Sequence, residues 1–372
     1  MSARPDVLVV SLGTTKGLRV ADEGFADQLR QAGATTALAA VGIGLTDRLR
    51  RGYPVNDLVE ALAARRTIAS AVARERPRAV VISTTTAALL TPALDVPFAI
   101  RFDSPAVLNR LGARNAVLHL LERRRLEQAA LLLPASTAAA LPLRTSTETI
   151  VVPIPVRATT EAPVPGPRDR VAVAYAPDPR AKGLDLLCAA WAEAVNGSAG
   201  AGGAHAHEAA NGAAGPLAGA RLDVYGIEPA VAQEFLARRG VPAPPSVRWR
   251  GMVPASEFRA ELRAASAFVS AARWEDYGQA ALEAMADGTL PVLSPAGGAY
   301  EALPLARSLD PGLVAADLEP ASLARALRHL FSLPEQVAAG LRVRAAATLR
   351  AYAPERVVDR LAADVLPRLL GR

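Results

Sequence analysis

Arg273-Trp274-Glu275-Asp276-Tyr277-Gly278-Gln279-Ala280-Ala281-Leu282-Glu283-Ala284-Met285-Ala286-Asp287-Gly288 holds two carboxylates, Glu275 and Glu283, eight positions apart. A glycine and the start of an apolar run stand between them, which predicts a turn at Gly278 that opens into a helix. Gly278 lets the backbone come close to a ligand, and the N–H groups from Tyr277 to Ala280 are the donors that a helix leaves unpaired at its start. An anion binds well at such an end. Glu275 then lies before the helix and Glu283 two turns inside it. The plainer alternative is an amphipathic helix after a loop.

The stretch resembles the Glu-x7-Glu motif of the retaining family-4 glycosyltransferases, which have the GT-B fold. Downstream of it, Pro291-Val292-Leu293, then Gly297-Gly298 and Glu301, resemble the continuation of that motif. The resemblance is strong over about residues 170 to 302 and loose elsewhere. It implies that Glu283 accepts hydrogen bonds from the ribose hydroxyls of a nucleotide and that Glu275 does so from hydroxyls of the transferred sugar. Ionised carboxylates suit both tasks, since each accepts from two hydroxyls through charge-assisted bonds. The backbone of Tyr277, Gly278 and Gln279 would face the phosphates or the sugar.

Lysine is nearly absent from the chain: of 42 basic residues only Lys16 and Lys182 are lysines, and each is followed by glycine ahead of a predicted helix. A compact ammonium in such a place can meet a phosphate. Lys182-Gly183 follows the first strand of the second half, where a doubly wound sheet exposes strand carboxyl ends to ligand. In the family a Lys-Gly pair here contacts the donor phosphates together with an arginine six residues earlier. This chain has Ala176 at that position, and Arg180 is the candidate to supply the guanidinium. Gly13-Thr14-Thr15-Lys16-Gly17, between the first strand and first helix, resembles the family's glycine-rich N-terminal loop, though glycines at any strand-to-helix turn also serve local backbone geometry. Many members carry a histidine after the fourth strand; Ile100-Arg101-Phe102-Asp103-Ser104-Pro105 has none, which leaves Asp103 or Arg101 for that place. His119 reads as a structural residue of a helix.

Short β-branched runs alternate with helical stretches in the first half: strands Asp6 to Ser11, Thr36 to Val41, Ala79 to Ser83, Pro97 to Ile100, Ala130 to Leu133 and Thr149 to Val152, with a first helix Val20 to Gln31. The pattern stops at Val152-Pro153-Ile154-Pro155 and a proline- and charge-rich linker, Arg157 to Arg170. A second alternation then runs to Ser294 and ends in terminal helices. Such alternation predicts an α/β fold with parallel sheets covered on both faces. The expectation is a GT-B chain of two Rossmann-like, doubly wound domains facing an interdomain cleft, residues 1–155 on the acceptor side and 156–353 for the nucleotide sugar. The last helix, Pro354 to Leu370, would return to the first domain, to which residues 354–372 are therefore assigned. The alanine- and glycine-dominated segment 196–219 reads as a flexible insertion; its His205 and His207 lack a third metal ligand nearby.

Residues 1 to 150 hold 19 Lys+Arg and 13 Asp+Glu, whereas residues 151 to 372 hold 23 of each, so all the positive excess lies in the first half. Arg101, Arg110, Arg114 and Arg123-Arg124-Arg125 would give a basic surface for peripheral contact with an anionic membrane or an acidic acceptor, or simply a solvated helix face. Aromatic residues do not alternate with it, which argues against nucleic acid. No apolar stretch is long enough to span a bilayer, and no basic and apolar leader precedes the first strand. A single cysteine, Cys188, excludes an intramolecular disulfide and fits a reducing, cytoplasmic location, peripheral at the inner membrane face if the basic surface binds lipid. It reads as a buried thiol.

No two aspartates stand two apart, so the Asp-x-Asp metal clamp of the other major glycosyltransferase fold is absent and a metal-independent site without cofactor is implied. Lys182, Arg180 and helix N-termini would then neutralise the leaving nucleoside diphosphate. The resemblance implies transfer of a sugar from a nucleoside-diphosphate sugar to a hydroxyl acceptor with retention, with Glu275, Lys182 and Asp103 closest to the chemistry. A GT-B sugar-nucleotide epimerase is the second reading. A degenerate transferase acting as a nucleotide-sugar-binding module is the third, favoured by Ala176 and the missing histidine.

Overall fold

The computed structural model describes residues 4–14, 16–42, 54–160, 168–196 and 215–371. The chain divides into two compact units, Met1–Pro155 with Ala351–Arg372, and Val156–Arg350. Most of the 196–219 segment, both of its histidines and residues 161–167 of the linker lie outside the described residues.

In the first unit β1 (Val7–Ser11), β2 (Thr36–Ala40), β3 (Ala79–Ser83), β4 (Phe98–Phe102) and β5 (Leu131–Pro134) form one parallel sheet in the order β2-β1-β3-β4-β5. β1 and β3 are buried at every residue, as the unbroken runs Val7-Leu8-Val9-Val10 and Ala79-Val80-Val81-Ile82 require of strands covered on both faces. Val7, Val9, Val81 and Leu133 pack with Phe25 and Leu29 of the first helix and with Val357, Leu361, Val365 and Leu369 of the terminal helical run. That run widens to a π-turn over Leu361–Val365 just before Pro367, whose nitrogen cannot donate back along the helix.

Three sequence expectations are corrected in this unit. The first helix is Lys16–Gln31, four residues longer at its start than the Val20 reading, because exposed Gly17 and Arg19 are tolerated in an opening turn. Thr149–Val152 is not a sheet strand: it follows β5 through a single bridge, Leu132↔Thr149, and β5 itself ends at Pro134, which has no N–H for the ladder. Arg101 is not part of a basic surface. It points inward from β4, 3.2 Å from Asp22 and over the ring of Phe25, and Asp22 in turn accepts from Ser11 and Ser83 at 2.6 and 2.7 Å. One buried carboxylate thereby fastens β1, β3 and β4 to the first helix. Burial pushes the Asp22 carboxyl above its ordinary value, while the two serines and Arg101 act to lower it.

In the second unit β6 (Asp169–Tyr175), β7 (Arg221–Tyr225), β8 (Val247–Gly251), β9 (Ala265–Ser270) and β10 (Leu290–Leu293) form a second parallel sheet, ordered β10-β9-β6-β7-β8. Chain order therefore reverses between β6 and β9. Open parallel sheets bind ligands outside the carboxyl ends of the strands at such a reversal. Trp191 of helix Leu184–Asn196 is wholly buried, donates to Ser246 at 3.0 Å and stands edge-on to Phe331 at 6.4 Å. Among the described residues no helix is long and apolar enough to cross a membrane.

Candidate functional site

β6 and β9 lie side by side, and the two loops leaving their carboxyl ends carry Lys182 and Glu275. The Lys182 Nζ is 2.5 Å from Glu275 Oε2 although the residues are 93 positions apart. Several bonds lock one loop to the other. The Arg273 N–H donates to the Ala181 carbonyl at 3.0 Å, and the Arg273 guanidinium grips Asp185 at 2.8 and 2.9 Å. Burial acts to raise the Asp185 carboxyl, but the hydrogen bonds and charge of Arg273 outweigh it and hold the group below the usual carboxylate value. Gly183 is required between the loops: its φ is +62°, and a Cβ there would sit 2.1 Å from the Ala271 carbonyl oxygen.

The Glu275 N–H donates to the Gly297 carbonyl at 2.9 Å, which sets the carboxylate at the end of a short bridged segment. Gly278, with φ +85°, caps helix Gln279–Ala286, and a Cβ on it would lie 2.1 Å from the buried ring of Tyr300. Burial first, and then the Glu275 charge, pushes the Tyr300 hydroxyl well above its ordinary value, with a bond to Ser270 opposing. Tyr277 is itself buried; its carbonyl accepts from the Glu301 N–H at 3.1 Å. Gln279 opens the helix, and its side-chain amide stands 3.5 Å from Glu283. Glu283 falls in the second turn of this 8-residue helix, so it is nearer the cap than two full turns. Its carboxylate is 3.3 Å from Arg259, which also holds Asp287 at 2.7 Å.

Lys182, Glu275, Gly278, Gln279 and Glu283 thus form a connected group at the carboxyl ends of β6 and β9. Arg180 stays near it through its backbone, with its carbonyl 3.4 Å from the Arg273 guanidinium, while the residue itself is exposed. Ala176 is buried at the end of β6. Gly13, Lys16 and Asp103 belong to the first unit. Gly13 turns the chain after β1 with φ +57°, and Lys16 is the first residue of helix Lys16–Gln31. Asp103 is exposed after β4 and lines a cavity of about 90 Å³ with Thr84, Ser104, Asn109, Arg110 and Glu122. Burial raises the Glu122 carboxyl, against bonds from the Ala106 N–H and Thr85 and the charges of His119 and Arg110 that lower it. His119 stands 2.9 Å from the Arg110 carbonyl, and burial with the nearby Asp185 charge pushes the Cys188 thiol up to about 12. Neither is placed as a nucleophile or base.

Sequence reasoning missed Arg259, Arg273 and Asp185. Arg273 opens the quoted stretch and Asp185 follows Lys182 by three, but nothing in their spacing reveals that β6 and β9 are neighbours. Among the described residues no group of three or more His, Cys, Asp and Glu could hold a metal ion.

Residues 169–332 match the family model described as glycosyl transferases group 1. No curated protein matches the chain. Among solved structures, sucrose-phosphate synthase from Thermosynechococcus elongatus superimposes with a TM-score of 0.69 at 15% identity, over 95% of this chain and 96% of that one. The α,α-trehalose 6-phosphate synthase of Burkholderia multivorans gives 0.69 at 14% identity over 98% of both chains. A glycosyltransferase from Rickettsia africae ESF-5 gives 0.67 at 14%, again over 98% of both. At these identities the likeness is one of fold, and it extends through both sheets. The fold is the GT-B fold of glycosyltransferases, and within the second unit residues 169–332 are similar to the glycosyl transferases group 1.

Proposed function

We propose that the second unit binds a nucleoside-diphosphate sugar at the carboxyl ends of β6 and β9 and that the enzyme transfers the sugar, with retention and without a metal ion, to a hydroxyl acceptor. The observation that carries this reading is the Lys182–Glu275 pair, 2.5 Å apart across the reversal of strand order. Lys182 is assigned to the diphosphate, with Arg180 and the start of helix Gln279–Ala286 as further positive ends. Glu275 is assigned to the sugar hydroxyls, and Glu283, poised by Arg259, to the ribose. Retention suits a front-face route, in which a donor phosphate oxygen takes the acceptor proton as the bond to the leaving diphosphate breaks, so that positioning and electrostatics supply most of the rate. Asp103 is assigned to orienting the acceptor hydroxyl within the first unit.

Lys182 is engaged by Glu275, so the ammonium must exchange that carboxylate for phosphate oxygens as the donor enters. Lys182→Ala is therefore expected to weaken UDP, GDP or ADP, whichever the wild type binds, by about 1.5–3 kcal/mol, the range for a hydrogen bond to a charged group. Calorimetric titration reads this directly. Unchanged diphosphate affinity would remove the lysine from the site.

The basic excess of the first half supports a further assignment, contact with an anionic membrane. Helix Ala116–Gln128 exposes Val117 and Leu120, each at 68%, on the same side as Arg124, with exposed Leu111 and Arg114 just before it. Apolar side chains beside arginines suit a headgroup surface, where each basic residue contributes about 1 kcal/mol. The chain should co-sediment with phosphatidylglycerol vesicles and not with phosphatidylcholine vesicles, and Leu120→Asp should abolish this. Equal recovery from both lipids would contradict the assignment.

A further inference from the structure

At the amino ends of β6, β9 and β10, on the opposite edge of the sheet from Lys182, a cavity of about 330 Å³ is bordered by three arginines, Arg168, Arg170 and Arg342, and one carboxylate, Glu335. β6 alone separates the two edges by about 20 Å at roughly 3.3 Å per residue. Three cations here stand against one carboxylate on the wall. Glu335 accepts from Arg342 at 2.7 and 3.2 Å, which leaves Arg168 and Arg170 without a carboxylate on the cavity wall. The other acid close by, Asp287, is taken by Arg259 and by Thr159.

Arg342 is only 5% exposed, and its Nε–H, like that of Arg168, is buried with no acceptor. Of the four Nη–H groups on each, Arg168 uses three, on the Ala265 carbonyl, the Thr289 hydroxyl and the Asp287 carbonyl, and Arg342 uses two, on Glu335. Burial first, and then the like charge of Arg342, bring the Arg168 guanidinium down to about 10 against the opposing charges of Asp287 and Glu335. Arg170 closes the third side with its guanidinium 5.6 Å from the ring of Phe331; its Nε–H and one Nη2–H donate to the Ala218 and Pro216 carbonyls, and its Nη1 is left for a ligand. An excess of positive charge around a cavity, with Nη–H groups of all three arginines left over from their contacts with the protein, suits a tetrahedral oxyanion, because a guanidinium fork matches the spacing of its oxygens.

We propose that this cavity is a binding site for a phosphoryl group, separate from the donor site on the other edge of the sheet. The occupant is free phosphate or a small phosphomonoester, since 330 Å³ leaves room for a few atoms beyond the anion itself. The site does not depend on the proposed sugar transfer.

The test is a calorimetric titration of the full chain with orthophosphate and with glycerol 3-phosphate at constant ionic strength, acetate serving as the carboxylate control. It is run on the wild type, Arg170→Gln, Arg342→Gln and Lys182→Ala. Saturable phosphate binding is expected in the wild type and in Lys182→Ala, weakened at least tenfold in both arginine variants. Tighter binding of glycerol 3-phosphate would identify the occupant as a phosphomonoester, and tighter binding of orthophosphate as the free ion. Absence of saturable binding, equal affinity for acetate, or loss in Lys182→Ala with the arginine variants unaffected would each overturn the proposal. Arg170 is exposed, so its substitution carries the test if Arg342→Gln fails to fold.

Discussion

Replacing Arg259 by leucine is expected to cost about 3–5 kcal/mol of stability, the range for removing one partner of a buried ion pair. The physical reason is Asp287, which is wholly buried and whose carboxylate is held by Arg259 at 2.7 Å and by the Thr159 N–H at 2.7 Å. Leucine leaves that charge in place without its cation, and the group must either stay ionised in a poor solvent or take up a proton. All three tryptophans, Trp191, Trp249 and Trp274, lie in the second unit, so a urea titration followed by tryptophan fluorescence reports on the unit concerned. A loss below about 1 kcal/mol, the range of exposed pairs, would show that Arg259 holds nothing buried. The same substitution frees Glu283, so any Arg259→Leu protein that stays folded should also bind nucleoside diphosphate less well.

Glu275→Gln is expected to lower turnover by about 100-fold or more while leaving diphosphate affinity intact or raised. A carboxylate that accepts from sugar hydroxyls, and accepts more strongly as charge develops at the anomeric carbon, contributes more to kcat than to ground-state binding of the donor. Amide for carboxylate keeps the size and removes the charge. It also releases Lys182 from its 2.5 Å contact, and a free ammonium is better disposed toward phosphates. Rates are read as nucleoside diphosphate released from a saturating nucleotide sugar. Turnover within a few-fold of wild type would detach Glu275 from the sugar.

The fold was legible where burial on both faces forces a continuous apolar run, as in Ala79–Ser83, whose bounds are those expected. It was illegible where tertiary partners decide. The Thr149–Val152 run has strand-like residues, but its neighbour ends in proline, and no propensity argument sees the neighbour. Arg101 looked like a surface charge because a lone arginine carries no sign of the buried aspartate that awaits it 79 positions earlier. Around the site, Glu275, Gly278 and Glu283 could be read from one contiguous motif, whereas Arg259 and Asp185 belong to the site only through packing. Arg168 and Arg342 were invisible for the same reason: 174 positions separate them in a chain where arginine is common.

The most direct test of the donor assignment is a paired titration of Glu283→Gln and Glu275→Gln with the free nucleoside diphosphate and with the intact nucleotide sugar. Glu283 is assigned to the ribose, which both ligands carry, so Glu283→Gln should weaken both by a similar factor. Glu275 is assigned to the sugar, so its variant should lose affinity for the donor alone. Equal losses for both ligands in both variants would contradict the division between nucleotide and sugar, and no loss in either variant would contradict the donor site at β6 and β9 itself.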